Sequence, residues 1–146
     1  MTAQIRTTPL AVTLLGASMS HDATKSYGSE IRSLLDRVWP VLKTGPIPNK
    51  GINWVVYNGC DRVFAGVEAE VADPAALGLE RLTLGLGRHA WIKHIGPYQL
   101  LGTAYTALNK AIADHGLRAE QPRIEVYGHW NNDESKLETE LIVPVS

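Results

Sequence analysis

The sequence predicts an α+β domain made of two β-α-β-β units. Each is an antiparallel sheet with a helix on one face, and the pair is related by a pseudo-twofold around a central ligand groove. Three observations carry this expectation. Two segments, Ile31–Leu42 and Leu101–Ile112, place apolar residues at helical spacing. Segments of period-2 alternation, the signature of a half-buried strand, flank them. A single offset of 70 residues matches the helix and the two later strands of one half to those of the other, with only the first strand and its connection out of register.

In chain order, Leu10–Leu15 is a β-type run after Pro9 and forms the first strand, and polar His21–Gly28 is a connection. Ser29 then caps a helix whose inner face is Ile31, Leu34, Leu35, Val38 and Leu42. Pro40 is expected to kink or close it, and Gly45-Pro46 with Pro48 to end it. Ile52–Tyr57 and Val63–Val71 read as a hairpin around the Asn58-Gly59-Cys60-Asp61 turn. Asp73-Pro74 stops it, and Ala75–Gly87 reads as a loop with a short strand near Leu82–Leu84. Arg88–Ile95 is the next strand, Gly96-Pro97 opens a helix over Tyr98–His115, and Gly116 stops that helix. Arg123–Tyr127 and Leu137–Val143 are the last strands, joined by a polar loop, His129–Lys136.

The pseudo-repeats run approximately over 9–73 and 82–146, within one domain over 1–146, and the offset of 70 matches their helices and later strands. It carries Ile31, Leu34, Leu35, Val38 and Leu42 onto Leu101, Ala104, Tyr105, Leu108 and Ile112, Tyr57 onto Tyr127, and Glu68 and Glu70 onto Glu138 and Glu140. If the aliphatic positions face the helices, the other sheet face carries Asn53, Val55 and Tyr57 in one half and Glu125 and Tyr127 in the other. Glu68, Glu70, Glu138, Glu140 and Ile142 join them there, so the groove is lined by aromatics and carboxylates.

Composition narrows the function classes. With 146 residues, 45% hydrophobic and 20% charged, the chain is an ordinary globular domain. A balance of 14 basic against 15 acidic residues leaves no basic footprint for nucleic acid. The single cysteine, Cys60, excludes an internal disulfide and a cysteine metal site and points to a reducing cytoplasm. No apolar run is long enough for a membrane span. The histidines His21, His89, His94, His115 and His129 lack ligand spacing, so no metal and no cofactor are expected. Gly85-Leu86-Gly87 is too little for a phosphate loop.

His94-Ile95-Gly96-Pro97-Tyr98, Ile124-Glu125-Val126-Tyr127 and Thr139-Glu140-Leu141-Ile142-Val143-Pro144-Val145 stand in order at suitable spacings. Together they resemble the motifs of GyrI-like domains, the effector-binding domains of AraC-type and MerR-type regulators and of gyrase-inhibitor-like proteins. The resemblance implies the duplicated fold and a groove for amphipathic, lipophilic and cationic drugs, with multidrug recognition. It implies that a buried glutamate on the last strand, here Glu140, reads the positive charge. Tyr127, Tyr57, Trp91, Ile142, Tyr98 and Trp130 are the expected walls and mouth of the site. Some family members hydrolyse the cyclopropane rings of electrophilic natural products. In that alternative Glu140 and Tyr127 would be catalytic. With no helix-turn-helix ahead of Leu10, the expectation is a standalone binding protein without direct DNA contact. A homodimer and a protein partner, as in gyrase inhibition, stay open at this point.

Overall fold

The computed structural model describes residues 2–146. Among them, eight strands and two α-helices make an α+β chain. They are β1 (Gln4–Arg6), β2 (Leu10–Ser20), α1 (Tyr27–Thr44), β3 (Asn53–Asn58), β4 (Arg62–Glu68), β5 (Glu80–Leu86), β6 (His89–Ile95), α2 (Leu101–Asp114), β7 (Arg123–Tyr127) and β8 (Glu138–Pro144). The chain divides into two units, Ala11–Leu84 and a second joining the N-terminal segment up to Leu10 with Gly85–Ser146.

In the Ala11–Leu84 unit the strands lie in the order β3-β4-β2-β5. The β3/β4 and β4/β2 pairs are antiparallel, with Tyr57 opposite Val63 and Gly16 opposite Gly66. Two differences from expectation concern α1. The capping residue is Ser26 rather than Ser29: its hydroxyl accepts from the Ser29 amide at 3.2 Å, so the helix starts earlier. Pro40 lies inside the helix without ending it. The buried stripe Leu34, Val38 and Leu42 continues past the proline, and packing of that stripe on β4 offsets the lost hydrogen bond. The first strand runs on to Ser20 instead of stopping at Leu15. The expected 75–87 loop is mostly structured, with a 3₁₀ turn over Pro74–Leu77, capped by the Asp73 side chain, and the whole of β5.

Gly16 and Gly66 allow β2 and β4 to meet without side chains between them. A Cβ at Gly66 would stand 2.3 Å from the Leu15 carbonyl oxygen, and one at Gly16 2.2 Å from that of Ala65. Backbone this close admits only glycine.

The second unit has the strand order β1-β6-β8-β7, with Ile92 opposite Leu141 and Ile124 opposite Ile142. Helix α2 buries Ala104, Leu108 and Ile112 against Ala90, Ile92, Leu141 and Val143. These are the positions the helical spacing marked. α2 begins differently from α1: a 3₁₀ turn over Tyr98–Leu100 leads in, and neither that turn nor the helix has a side-chain cap. At the other end Gly116, at φ +66°, closes the helix as expected. No helix among the described residues is long and apolar enough to cross a membrane.

Candidate functional site

Residues directly opposite in an antiparallel ladder share a face, and neighbours along a strand alternate. In the second unit, the face bearing Ala90, Ile92, Leu141 and Val143 packs on α2. Register then puts Glu125 (opposite Leu141), Tyr127 (opposite Thr139), His94 and Thr139 on that same α2 side. Glu140, Trp91 and Ile142 lie on the other side, together with Lys93, Ile124 and Val126. The expectation that Tyr127 and Glu140 share one face is therefore corrected: they point to opposite faces. The same correction applies to Tyr57. In its own unit it faces α1, where Tyr27 stands edge-on to its ring at 5.0 Å. Asn53 on that face accepts from Trp39 Nε1 of α1 at 2.9 Å. Trp54, opposite Gly66, is the residue that shares the face of Glu68.

The expected site residues thus fall into separate groups. Glu140, Trp91 and Ile142 stay together. Trp91 Nε1 donates to Glu140 Oε1 at 2.7 Å, both side chains are half-buried, and Ile142 is buried between strands. The chain's own Arg6 guanidinium lies 3.7 Å from the centre of the Trp91 ring, a cation–π contact. Tyr127 and Tyr98 form a second group, edge to face at 5.4 Å and 84°. Tyr98 is partly exposed, and desolvation pushes its hydroxyl pKa up. Trp130, 74% exposed in the β7–β8 loop, joins neither group.

The Tyr127 group has a centre that the sequence reading placed on a groove face without giving it a role. Glu125 is only 5% exposed, and each carboxylate oxygen accepts from a tyrosine: Oε1 from Tyr127 at 2.6 Å and Oε2 from Tyr105 of α2 at 2.5 Å. The Arg123 guanidinium sits over the Tyr105 ring, 5.0 Å from its centre. Burying a carboxylate is costly unless donors replace its water, and here two phenols from different elements do so. A signal was present in the sequence: Glu125 and Tyr127 are two apart in a strand, hence on one face, and the offset aligns Tyr105 with Leu35, on the face of α1 expected to turn inward.

The other unit offers less. A cleft of about 680 Å³ is lined by Val12, Thr13, Lys50, Glu68 and Glu70, with Lys50 Nζ 3.6 Å from Glu68. No aromatic side chain lines it, so it suits a lipophilic ligand poorly. Beside α1, buried Glu30 accepts from His21 Nδ1 at 2.5 Å and from the Asp22 amide at 2.9 Å. The amide first, and then the imidazole, hold the Glu30 carboxyl below the usual range. No group of metal-binding side chains occurs among the described residues.

A family model described as the GyrI-like small molecule binding domain matches residues 55–146. No curated protein matches the sequence. Among solved structures, the EcmrR C-terminal domain is similar at a TM-score of 0.76 and 17% identity, covering 100% of this chain and 99% of that one. SAV2435 bound to tetraphenylphosphonium is similar at 0.66 and 14%, covering 100% and 94%. A hydrolase from Listeria innocua is similar at 0.63 and 12%, covering 99% and 92%. At these identities the structures share the fold.

Proposed function

The chain belongs to the GyrI-like small molecule binding family, and on that premise we propose that it binds lipophilic cations, with Glu125 as the charged centre. The observation that carries this reading is the buried Glu125 carboxylate held by two tyrosine hydroxyls. Aromatic rings around a carboxylate screened from water match a ligand that is greasy outside and positive at its centre. Tyr127 and Tyr98 line the approach to it. That SAV2435 was solved with tetraphenylphosphonium supports the choice of probe. An exposed, unpaired Cys60 is in keeping with a reducing cytoplasm.

Glu140 with Trp91 and Ile142 is the second reading of the same function, favoured by the bond between the indole and the carboxylate. It ranks below Glu125 because the Glu140 carboxylate is only half-buried and accepts from one indole, whereas Glu125 is buried and accepts from two tyrosines. Titration of tetraphenylphosphonium into wild type, Glu125→Gln and Glu140→Gln separates the two. Binding lost only in Glu125→Gln supports the first reading, and loss only in Glu140→Gln overturns it.

Hydrolysis of an electrophilic ligand is the alternative activity, favoured by the same phenol–carboxylate pairs, which can move protons. Mass analysis of cyclopropane-bearing alkylators after incubation tests it: catalytic turnover means an enzyme, and unchanged compound means a binding protein.

A further inference from the structure

Two polar atoms on the α2 side of the second unit are buried without a hydrogen-bond partner among the described residues: His94 Nδ1 and Thr139 Oγ1. His94 is 4% exposed and Thr139 0%. They face each other across β6 and β8, and Tyr127 is opposite Thr139 on β7. His94, Thr139 and Tyr127 therefore form one row across three strands.

The other imidazole nitrogen sets the chemistry of the row. His94 Nε2 is 3.0 Å from the Pro97 carbonyl oxygen, which can only accept, so Nε2 carries the hydrogen. Nδ1 of the neutral ring is then an acceptor, while Thr139 Oγ1 can donate or accept. Leaving both unmade is costly in a dry interior, and native proteins rarely do it. A group that donates to nitrogen and exchanges a hydrogen bond with a hydroxyl satisfies both, and a hydroxyl does this at one position.

We propose that His94 Nδ1 and Thr139 Oγ1 form a site for one hydroxyl group, filled by water in the ligand-free protein and by the ligand's own hydroxyl when one is bound. The second half rests on the binding reading above, because the row leads through Tyr127 to the Glu125 cluster. A ligand that displaces this water without supplying a hydroxyl leaves both atoms unpaired, so the site favours hydroxylated ligands.

Thr139→Val tests the site, because valine keeps the shape and removes the oxygen. If the hydroxyl holds water, the variant melts lower than wild type, by roughly 2–4 °C. If Thr139 Oγ1 is simply unsatisfied, removing it leaves Tm unchanged or raises it, and the site is overturned. Long-range ¹H–¹⁵N spectra give a second measurement on the folded protein: Thr139→Val should move the His94 Nδ1 resonance and leave Nε2 in place, whereas an unmoved Nδ1 refutes the site. For the ligand half, wild type should bind (4-hydroxyphenyl)triphenylphosphonium about tenfold more tightly than tetraphenylphosphonium, and Thr139→Val should abolish that preference. Equal affinities in wild type overturn the ligand half. The Tm comparison uses no ligand, so its failure removes the site and leaves the binding reading standing. Silence of both phosphonium probes refutes the binding reading, while the Tm sign still decides the water site.

Discussion

Replacing Glu125 with glutamine separates charge from shape. The side chain keeps its length and an acceptor oxygen, so one of the two tyrosine hydroxyls keeps its partner. The other meets an amide that donates, and can turn to accept from it. What disappears is the negative charge. A cation seated about 5 Å from that carboxylate, at an effective dielectric of about 20, gains ~3 kcal/mol. That corresponds to roughly a hundredfold in Kd. Isothermal titration with tetraphenylphosphonium should show a loss of that order, while neutral triphenylphosphine oxide binds both proteins within about threefold. Urea unfolding monitors the fold, and the lost charge-assisted bond should cost about 1–2 kcal/mol. If Glu125→Gln keeps wild-type affinity for the cation, Glu125 is a structural residue and the charge centre lies elsewhere. A parallel loss for cation and neutral probe would mean that the substitution collapsed the pocket.

Other outcomes follow from the same geometry. Glu140→Gln keeps an acceptor for Trp91 Nε1, so its phosphonium affinity should stay within about threefold of wild type by the same titration. Glu30 has a folded-state pKa depressed below its usual 4.5, so it stabilises the fold above that value and loses its contribution as pH falls through the folded value. Glu30→Gln should therefore flatten the acid limb of a Tm-against-pH curve, and an unchanged limb would contradict the hold of the Asp22 amide and His21 on Glu30. Gly66→Ala forces a Cβ to 2.3 Å from a carbonyl oxygen. Its urea midpoint should fall, by the equivalent of about 2–4 kcal/mol.

Much of the fold was legible because most helix faces are one-sided. Leu34, Val38 and Leu42, like Ala104, Leu108 and Ile112, meet one packing surface, so their spacing reports the helix directly. β8 was equally readable: Thr139, Leu141 and Val143 pack inward, and Glu138 and Glu140 alternate with them. β3 was not. Trp54, Val55, Val56 and Tyr57 are all buried, so alternation vanishes and nothing local shows which residue faces the helix. Placing Asn53, Val55 and Tyr57 on the groove face inverted that strand, and Tyr127, matched to Tyr57 by the offset, was placed on the same wrong face. Glu125 failed for another reason. A glutamate in a strand ordinarily points to water, and the hydroxyls that bury it come from Tyr127, two residues along, and from Tyr105, twenty residues back on α2. The second partner exists only once the helix has docked.

The two helices begin with unequal security, and this has a consequence in time. Ser26 ties down the first turn of α1, whereas α2 starts from an uncapped 3₁₀ turn that carries Tyr98. Amides near Leu101–Ala104 should therefore exchange with deuterium sooner than those of the first turn of α1. Glu125 lies below in a strand paired to β8 and stays protected for longer. Such a site signals occupancy through its least anchored turn: a ligand held against Tyr98 and Tyr127 lengthens the lifetime of those few amide protons and leaves the sheet's own clock unaltered.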